Sequence, residues 1–171
     1  MTCLLLISVA FAVVGVVGPA GSTSGPPPSH ASIVLHLQTP ADRSFPMFDP
    51  VNEARWVPGW RPALLGEARV AAGLVFTTED DHGRTAWLLD RYDVRACELR
   101  YVVARPTTLT TIDIAVVADG PRASIATVTY TRTALEPAAA GAVEEFIRHF
   151  SLEAPHWESA INAALASGSG R

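Results

Sequence analysis

The sequence predicts an α+β domain in which a curved antiparallel sheet wraps around a long, kinked C-terminal helix, with two short helices after the first strand. Three observations carry that expectation. The stretch Thr39 to Trp60, TPADRSFPMFDPVNEARWVPGW, sets two helical starts and a Trp-Val-Pro-Gly-Trp turn directly behind one amphipathic strand. A run of alternating segments separated by short turn signals follows. The chain then closes on a single apolar-striped helix. A sheet curved around a helix encloses space, so holding an apolar molecule is the expected use of such an arrangement.

The first strand is Ser32 to Gln38, with Ile33, Leu35 and Leu37 on one face and Val34, His36 and Gln38 on the other. Thr39 is placed to cap the first short helix, with Pro40 at its first position and Asp42 completing a capping box. Phe45 and Phe48 give that helix its buried side. Asp49-Pro50 repeats the cap-then-proline signal and starts a second short helix through Arg55, which Val57-Pro58-Gly59 must end. Helices this short are unstable alone. Trp56 and Trp60 are the expected anchors.

Strand signals continue at Ala63 to Arg69 and Leu74 to Thr78, with a turn at Asp80-Asp81-His82-Gly83. Thr85 to Tyr92 and Val94 to Val103 form the next pair, and Arg105-Pro106-Thr107 breaks the pattern before Leu109 to Val117. The turn Ala118-Asp119-Gly120-Pro121 leads into the last strand, Ala123 to Thr133. Short connections of this kind favour an antiparallel meander. Ile112, Ile114 and Val116 share one face, as do Cys97, Leu99, Tyr101 and Val103, so one side of the sheet is apolar and needs a cover. The cover is Pro137 to Ala166, where Ala139, Val143, Phe146, Ile147, Phe150, Ala154, Trp157, Ile161 and Leu165 fall at helical spacing. Pro155 interrupts the hydrogen-bond ladder, so the expectation is one helix bent near Ser151.

Composition narrows the function classes. The first thirty residues hold no Asp, Glu, Lys or Arg, so the net charge of -4 belongs to the remainder. Every basic side chain is arginine and the charges are interspersed, leaving no basic stripe for nucleic acid. Residues 1–20 read as a signal peptide or hydrophobic N-terminal segment: Leu4 to Val17 is apolar or small apart from Ser8, shorter than the about twenty residues a membrane span needs. Met1 and Thr2 supply no basic n-region, which leaves an uncleaved anchor or a misassigned start as alternatives. Export is the expectation if the segment is a true signal peptide, and a cytoplasmic location otherwise. Residues 21–30 read as a Gly/Ser/Pro linker, 31–167 as the domain and 168–171 as a disordered tail. No second segment has spanning length. Cys3 and Cys97 are the only cysteines, so disulfides are not expected to hold the fold, and Cys97 reads as a buried, inert thiol within a strand.

Chemical motifs are sparse. His30, His36, His82, His149 and His156 make no metal-ligand spacing, and His149 with Glu153 reads as a surface i,i+4 pair. There is no Gly-rich phosphate loop and no Gly-x-Ser-x-Gly elbow, so neither metal nor cofactor is expected. Glu53 stands out between two anchoring tryptophans. It reads either as a cavity acid with a raised pKa or as an acceptor for Trp56, Trp60 or an arginine that locks the turn, and the second reading is preferred. Tyr101, Tyr130, Trp87 and Arg132 could offer polar tips to a cavity, though each also serves as filler of a curved sheet, and Arg132 sits where a strand end could leave it in solvent.

The order of elements, together with Phe48 to Trp60, Leu74 to Thr78, Ala86-Trp87 to Arg91-Tyr92-Asp93 and Val128 to Leu135, resembles the START-like helix-grip superfamily of polyketide cyclase/dehydrase and lipid-transport proteins. Pro50, Val51, Glu53, Trp56, Gly59 and Trp60 match the pattern of a bacterial branch, and the resemblance covers about Ser32 to Ala166. It implies a hydrophobic cavity between sheet and long helix, but no one chemistry. Its expected wall residues are Trp56, Trp60, Phe76, Trp87, Tyr101, Ile112, Ile114, Tyr130, Phe146, Phe150 and Trp157, with Glu53 as the polar candidate. The expected partner is an apolar or aromatic small molecule, lipid or polyketide-like, and binding is favoured over turnover. A cyclase-, aromatase- or hydrolase-type enzyme using the same cavity and a collapsed-cavity interaction module are the alternatives.

Overall fold

A computed structural model describes residues 27–66, 69–80 and 83–168. The expected signal segment, most of the linker, His82 and the tail 169–171 lie outside the described residues. The first strand, β1 (Ser29–Leu37), takes in the last two residues assigned to the linker. It is longer than its apolar pattern because it is zipped onto the last strand, from Ser29 opposite Arg132 to Leu37 opposite Ser124.

After β1 the chain makes one α-helical turn, α1 (Ala41–Ser44), and a 3₁₀ turn, Phe45–Phe48, then a second 3₁₀ turn, Asn52–Arg55. Thr39 is not the cap of α1. Pro40 holds that position, its carbonyl accepting from the amides of Arg43 and Ser44. The Thr39 hydroxyl pairs instead with Ser44, which is buried and also meets Ser124. Buried hydroxyls need partners more than an exposed helix start needs a side-chain cap. The second cap is of the expected kind: the Asp49 carboxylate accepts from the amides of Val51 and Asn52 at 2.9 and 2.8 Å.

The remaining strands are β2 (Ala63–Leu65), β3 (Leu74–Asp80), β4 (Gly83–Asp93), β5 (Glu98–Ala104), β6 (Thr108–Ala118) and β7 (Ser124–Ala134). They form one antiparallel sheet of seven strands in the order β1-β7-β6-β5-β4-β3-β2. It is a meander from β2 to β7 with the first strand added beside the last. A register shift between Leu89 and Arg91 leaves a bulge in β4, which bends the sheet.

Two sequence expectations fail here. Among the described residues of Ala63 to Arg69, only the three-residue β2 is strand. Val94 to Cys97 is a turn and not strand, because the Asp93 carboxylate accepts from the amides of Arg95 and Ala96 and so closes the chain on itself. Cys97 leaves the turn at a φ of 53°, half-buried, and burial followed by the nearby Asp42 and Asp93 pushes its thiol pKa up.

The C-terminal segment opens with a 3₁₀ turn, Pro137–Ala139, and runs through α2 (Ala140–Phe150), a 3₁₀ turn Ser151–Glu153 and α3 (Ala154–Gly168). The backbone stays right-handed helical across the break, so this is one bent helix, interrupted where Pro155 withholds its donor. Val143, Phe150, Ile161, Ala164 and Leu165 are its buried positions, against Ile33, Leu35 and Leu37 of β1 and the inner residues of β5 to β7. Helix side chains also close the edge of β1: Glu158 accepts from the His36 amide at 2.7 Å, and Asn162 bonds both the Gln38 amide and the His36 carbonyl. His149 does not pair with Glu153; its Nδ1 meets the Glu145 carbonyl one turn back. Among the described residues no helix is long and apolar enough to cross a membrane.

Candidate functional site

The tract behind β1 builds one wall of a cavity. Phe45, Met47 and Phe48 are buried under the sheet, and the Asp49 cap sets the 3₁₀ turn that follows. That turn divides its two charged side chains. Arg55 reaches the Ala164 carbonyl of α3 at 2.9 Å and the Met47 sulfur at 3.3 Å, fixing the tract to the helix. Glu53 is turned to the cavity.

The expected clamp on Glu53 is absent. The indole N–H of Trp56 donates to the Met47 carbonyl at 2.6 Å, and that of Trp60 to the Pro50 carbonyl at 2.7 Å. The indoles lock the turn through these backbone oxygens instead. Among the described residues Glu53 has no side-chain hydrogen bond and no ion pair, so its carboxyl meets only the cavity and its walls. Burial raises its pKa well above the usual carboxylate range, and the Asp49 carboxylate adds to the shift.

The cavity has a volume of about 220 Å³. All four tryptophans of the chain, Trp56, Trp60, Trp87 and Trp157, line it. Tyr101, Ile112, Ile114 and Tyr130 supply the sheet side, and Val57 closes the loop side. Of the expected wall residues, Phe76, Phe146 and Phe150 do not reach it. Phe76 is fully buried behind Trp87, stacked at 5.6 Å, and the other two pack on Tyr130 at 5.2 and 4.5 Å. Val57 escaped the sequence reading because it looks like a mere spacer before Pro58. Its signal was its place between Trp56 and Trp60.

The polar edges of several rings are committed to the wall. Trp87 donates to the Thr78 hydroxyl at 2.9 Å and Tyr101 to the Phe48 carbonyl at 2.9 Å. The Tyr130 hydroxyl has no hydrogen bond among the described residues; burial and then Glu53 raise its pKa, while Arg132 works the other way. Arg132 does not extend into solvent. Its guanidinium lies 3.6 Å from the centre of the Phe146 ring, its Nε is buried without a partner, and burial lowers its pKa. A second basin of about 350 Å³, lined by Pro58, Glu153, His156 and Ala160, shares Trp56, Val57 and Trp157 with the inner cavity. Those three side chains form the partition between them. Among the described residues no three His, Cys, Asp or Glu side chains come close enough to hold a metal ion.

No family model and no curated protein matches the chain. Solved structures do. Norcoclaurine synthase from Thalictrum flavum, in complex with dopamine and hydroxybenzaldehyde, is similar with a TM-score of 0.67 at 12% identity, over 97% of this chain and 100% of that one. Ara h 8.0201 is similar with a TM-score of 0.62 at 14% identity, over 82% and 99%. The Zhui aromatase/cyclase from Streptomyces sp. R1128 is similar with a TM-score of 0.59 at 14% identity, over 83% and 94%.

The chain has the START-like helix-grip fold. In helix-grip terms, the cavity lies between the grip of the sheet and the bend of the long helix, with the Glu53 turn as its third side. Identity this low extends the likeness to the fold alone.

Proposed function

We propose that this helix-grip domain binds a small, mainly aromatic molecule in the inner cavity, entering past Trp56, Val57 and Trp157 from the outer basin. The observation that carries the reading is the concentration of every tryptophan of the chain around one space. Four indoles serve a stable core poorly if they leave room beside them, since a void forfeits the contacts its lining would make. A cavity of about 150 Å³ suffices for benzene, so the inner space suits one ring with a short arm and is small for a long acyl chain. The open volume also weighs against the collapsed-cavity alternative. The similar structures of a synthase in complex with dopamine and hydroxybenzaldehyde and of an aromatase/cyclase support an aromatic occupant.

Titration with 1-naphthol, followed by tryptophan fluorescence, should show saturable quenching. Val57→Trp, which fills the partition from a half-buried loop position at the edge of the core, should abolish it with the melting transition retained. Linear quenching in the parent chain, or saturation untouched by Val57→Trp, would defeat the reading. An enzymatic second reading rests on one further observation. Glu53 and Tyr130 face the same cavity without protein partners, and Glu53 keeps its proton to a higher pH than an ordinary carboxyl, as a general acid must. Turnover of an aromatic carbonyl compound that disappears in Glu53→Gln would favour it.

A further inference from the structure

We propose that the occupant of the cavity is an organic cation, an aromatic amine whose ammonium group pairs with Glu53 and rests against the indole rings. The inference deepens the binding reading above and depends on it. Three features of the site lead to it.

The first is the isolation of the carboxyl. Glu53 lines the cavity with neither a hydrogen-bond donor nor an ion-pair partner among the described residues. The nearest structural candidates are engaged elsewhere: Arg55 with Ala164 and Met47, Trp56 with Met47 and Trp60 with Pro50. Arg132, two positions beyond Tyr130 on β7, is spent on the Phe146 ring. A carboxyl left over in this way is complemented only by something that enters.

The second is the character of the walls. Because the N–H groups of Trp56, Trp60 and Trp87 and the hydroxyl of Tyr101 are bound to oxygens of the protein, those rings have no free donor to offer a ligand. What they present is π-surface, negative at the ring face. Such surface attracts a cation, tryptophan most strongly. Of the ring donors in the lining, only the Tyr130 hydroxyl and the Trp157 N–H lack a protein acceptor among the described residues, and an anionic ligand would otherwise meet aromatic faces.

The third is the balance of charge around Glu53. Asp49 lies behind it, and Tyr101 and Tyr130 face it; each of these is neutral or negative. The empty site therefore holds Glu53 protonated to higher pH, and an entering ammonium group supplies the positive charge that lets the proton leave to solvent.

The test compares three probes of one shape: phenethylamine, propylbenzene, in which a methyl replaces the ammonium, and 3-phenylpropanoate, which carries a negative charge instead. Binding is measured calorimetrically at neutral pH to the full chain and to Glu53→Gln, with thermal unfolding confirming that the variant is folded. Phenethylamine should bind about ten-fold or more tighter than propylbenzene, and that advantage should vanish in Glu53→Gln while propylbenzene binding persists. Equal binding of the two, or an advantage that survives Glu53→Gln, overturns the cation assignment and leaves an apolar cavity. Preference for 3-phenylpropanoate overturns it in favour of an anion reaching Arg132. If none of the three binds saturably, the cavity reading itself fails, and this inference with it.

Discussion

The two faces of the sheet treat charge differently. On the convex face, Arg100 meets Asp113 at 2.6 Å and Arg91 meets Glu98 at 3.0 Å, and at the sheet end Arg105 meets Asp80 at 3.3 Å. On the concave side, Glu53 and Arg132 have no ion-pair partner among the described residues. Those convex charges are paired in water, while on the concave side Glu53 holds its proton to higher pH and Arg132 rests on the Phe146 ring. Stability alone would favour the reverse, because a buried ionisable group without an ion-pair partner costs more, as a charge or as a shifted pKa, than an exposed pair contributes. The concave side therefore gives up stability that paired or apolar residues at these two positions would keep.

The largest expected effect comes from breaking the wall that makes the concave side distinct. Trp56 is 8% exposed and packs edge-on against Trp157 at 5.3 Å and Phe48 at 6.3 Å. Trp56→Ala removes those contacts and strands the Met47 carbonyl, for a loss of about 3–5 kcal/mol. Urea unfolding measures it, and a loss below about 1 kcal/mol would mean that the indole is a lining group only.

A smaller effect of opposite sign belongs to Glu53. Its folded pKa is raised, so between the ordinary carboxylate range and that higher value the folded chain holds a proton that the unfolded chain has released. Rising pH across that window then costs stability, at about 1.4 kcal/mol for each unit of separation. Glu53→Gln removes the titration. The variant should match the parent under acid conditions, where Glu53 is protonated in both states, and become more stable than it as pH rises to neutrality. Unfolding midpoints of the two across that range decide it; a variant less stable at every pH would restore the structural-acceptor reading.

That reversal shows where the sequence stops being legible. Alternation marks β1 and β3 to β7 because each strand buries one face, and the apolar phase of 137–166 survives Pro155 because the helix must cover that face throughout. Such patterns are repeated many times, so single exceptions do not hide them. The role of Glu53 depends instead on which oxygens two indoles choose. They choose carbonyls of Met47 and Pro50, and a backbone carbonyl leaves no mark in a sequence. The turn at Val94–Cys97 failed for a different reason: Cys97 continues the apolar alternation of Leu99, Tyr101 and Val103, while one side chain, Asp93, overrules it by bonding two amides. The pairing of β1 with β7 has no local signal at all, because it joins strands at opposite ends of the domain.

The smallest effect sharpens the comparison from the convex side. Arg100 and Asp113 face each other across β5 and β6 at 2.6 Å, with 37% and 39% of their side chains exposed. Asp113 holds the Arg100 pKa above its ordinary value, first by the hydrogen bond and then by charge, but water screens the pair at this exposure. A double-mutant cycle with Arg100→Ala and Asp113→Ala should therefore give a coupling of about 0.2–1 kcal/mol. Raising the salt to molar concentration should shrink it, because the Debye length falls to about 3 Å. The difference between the Glu53→Gln and parent midpoints, by contrast, originates in desolvation and should respond weakly to the same salt. A convex coupling well above about 1 kcal/mol, or one indifferent to salt, would mean that the sheet's outer charges are structural members and that the two faces differ less than their pairing suggests.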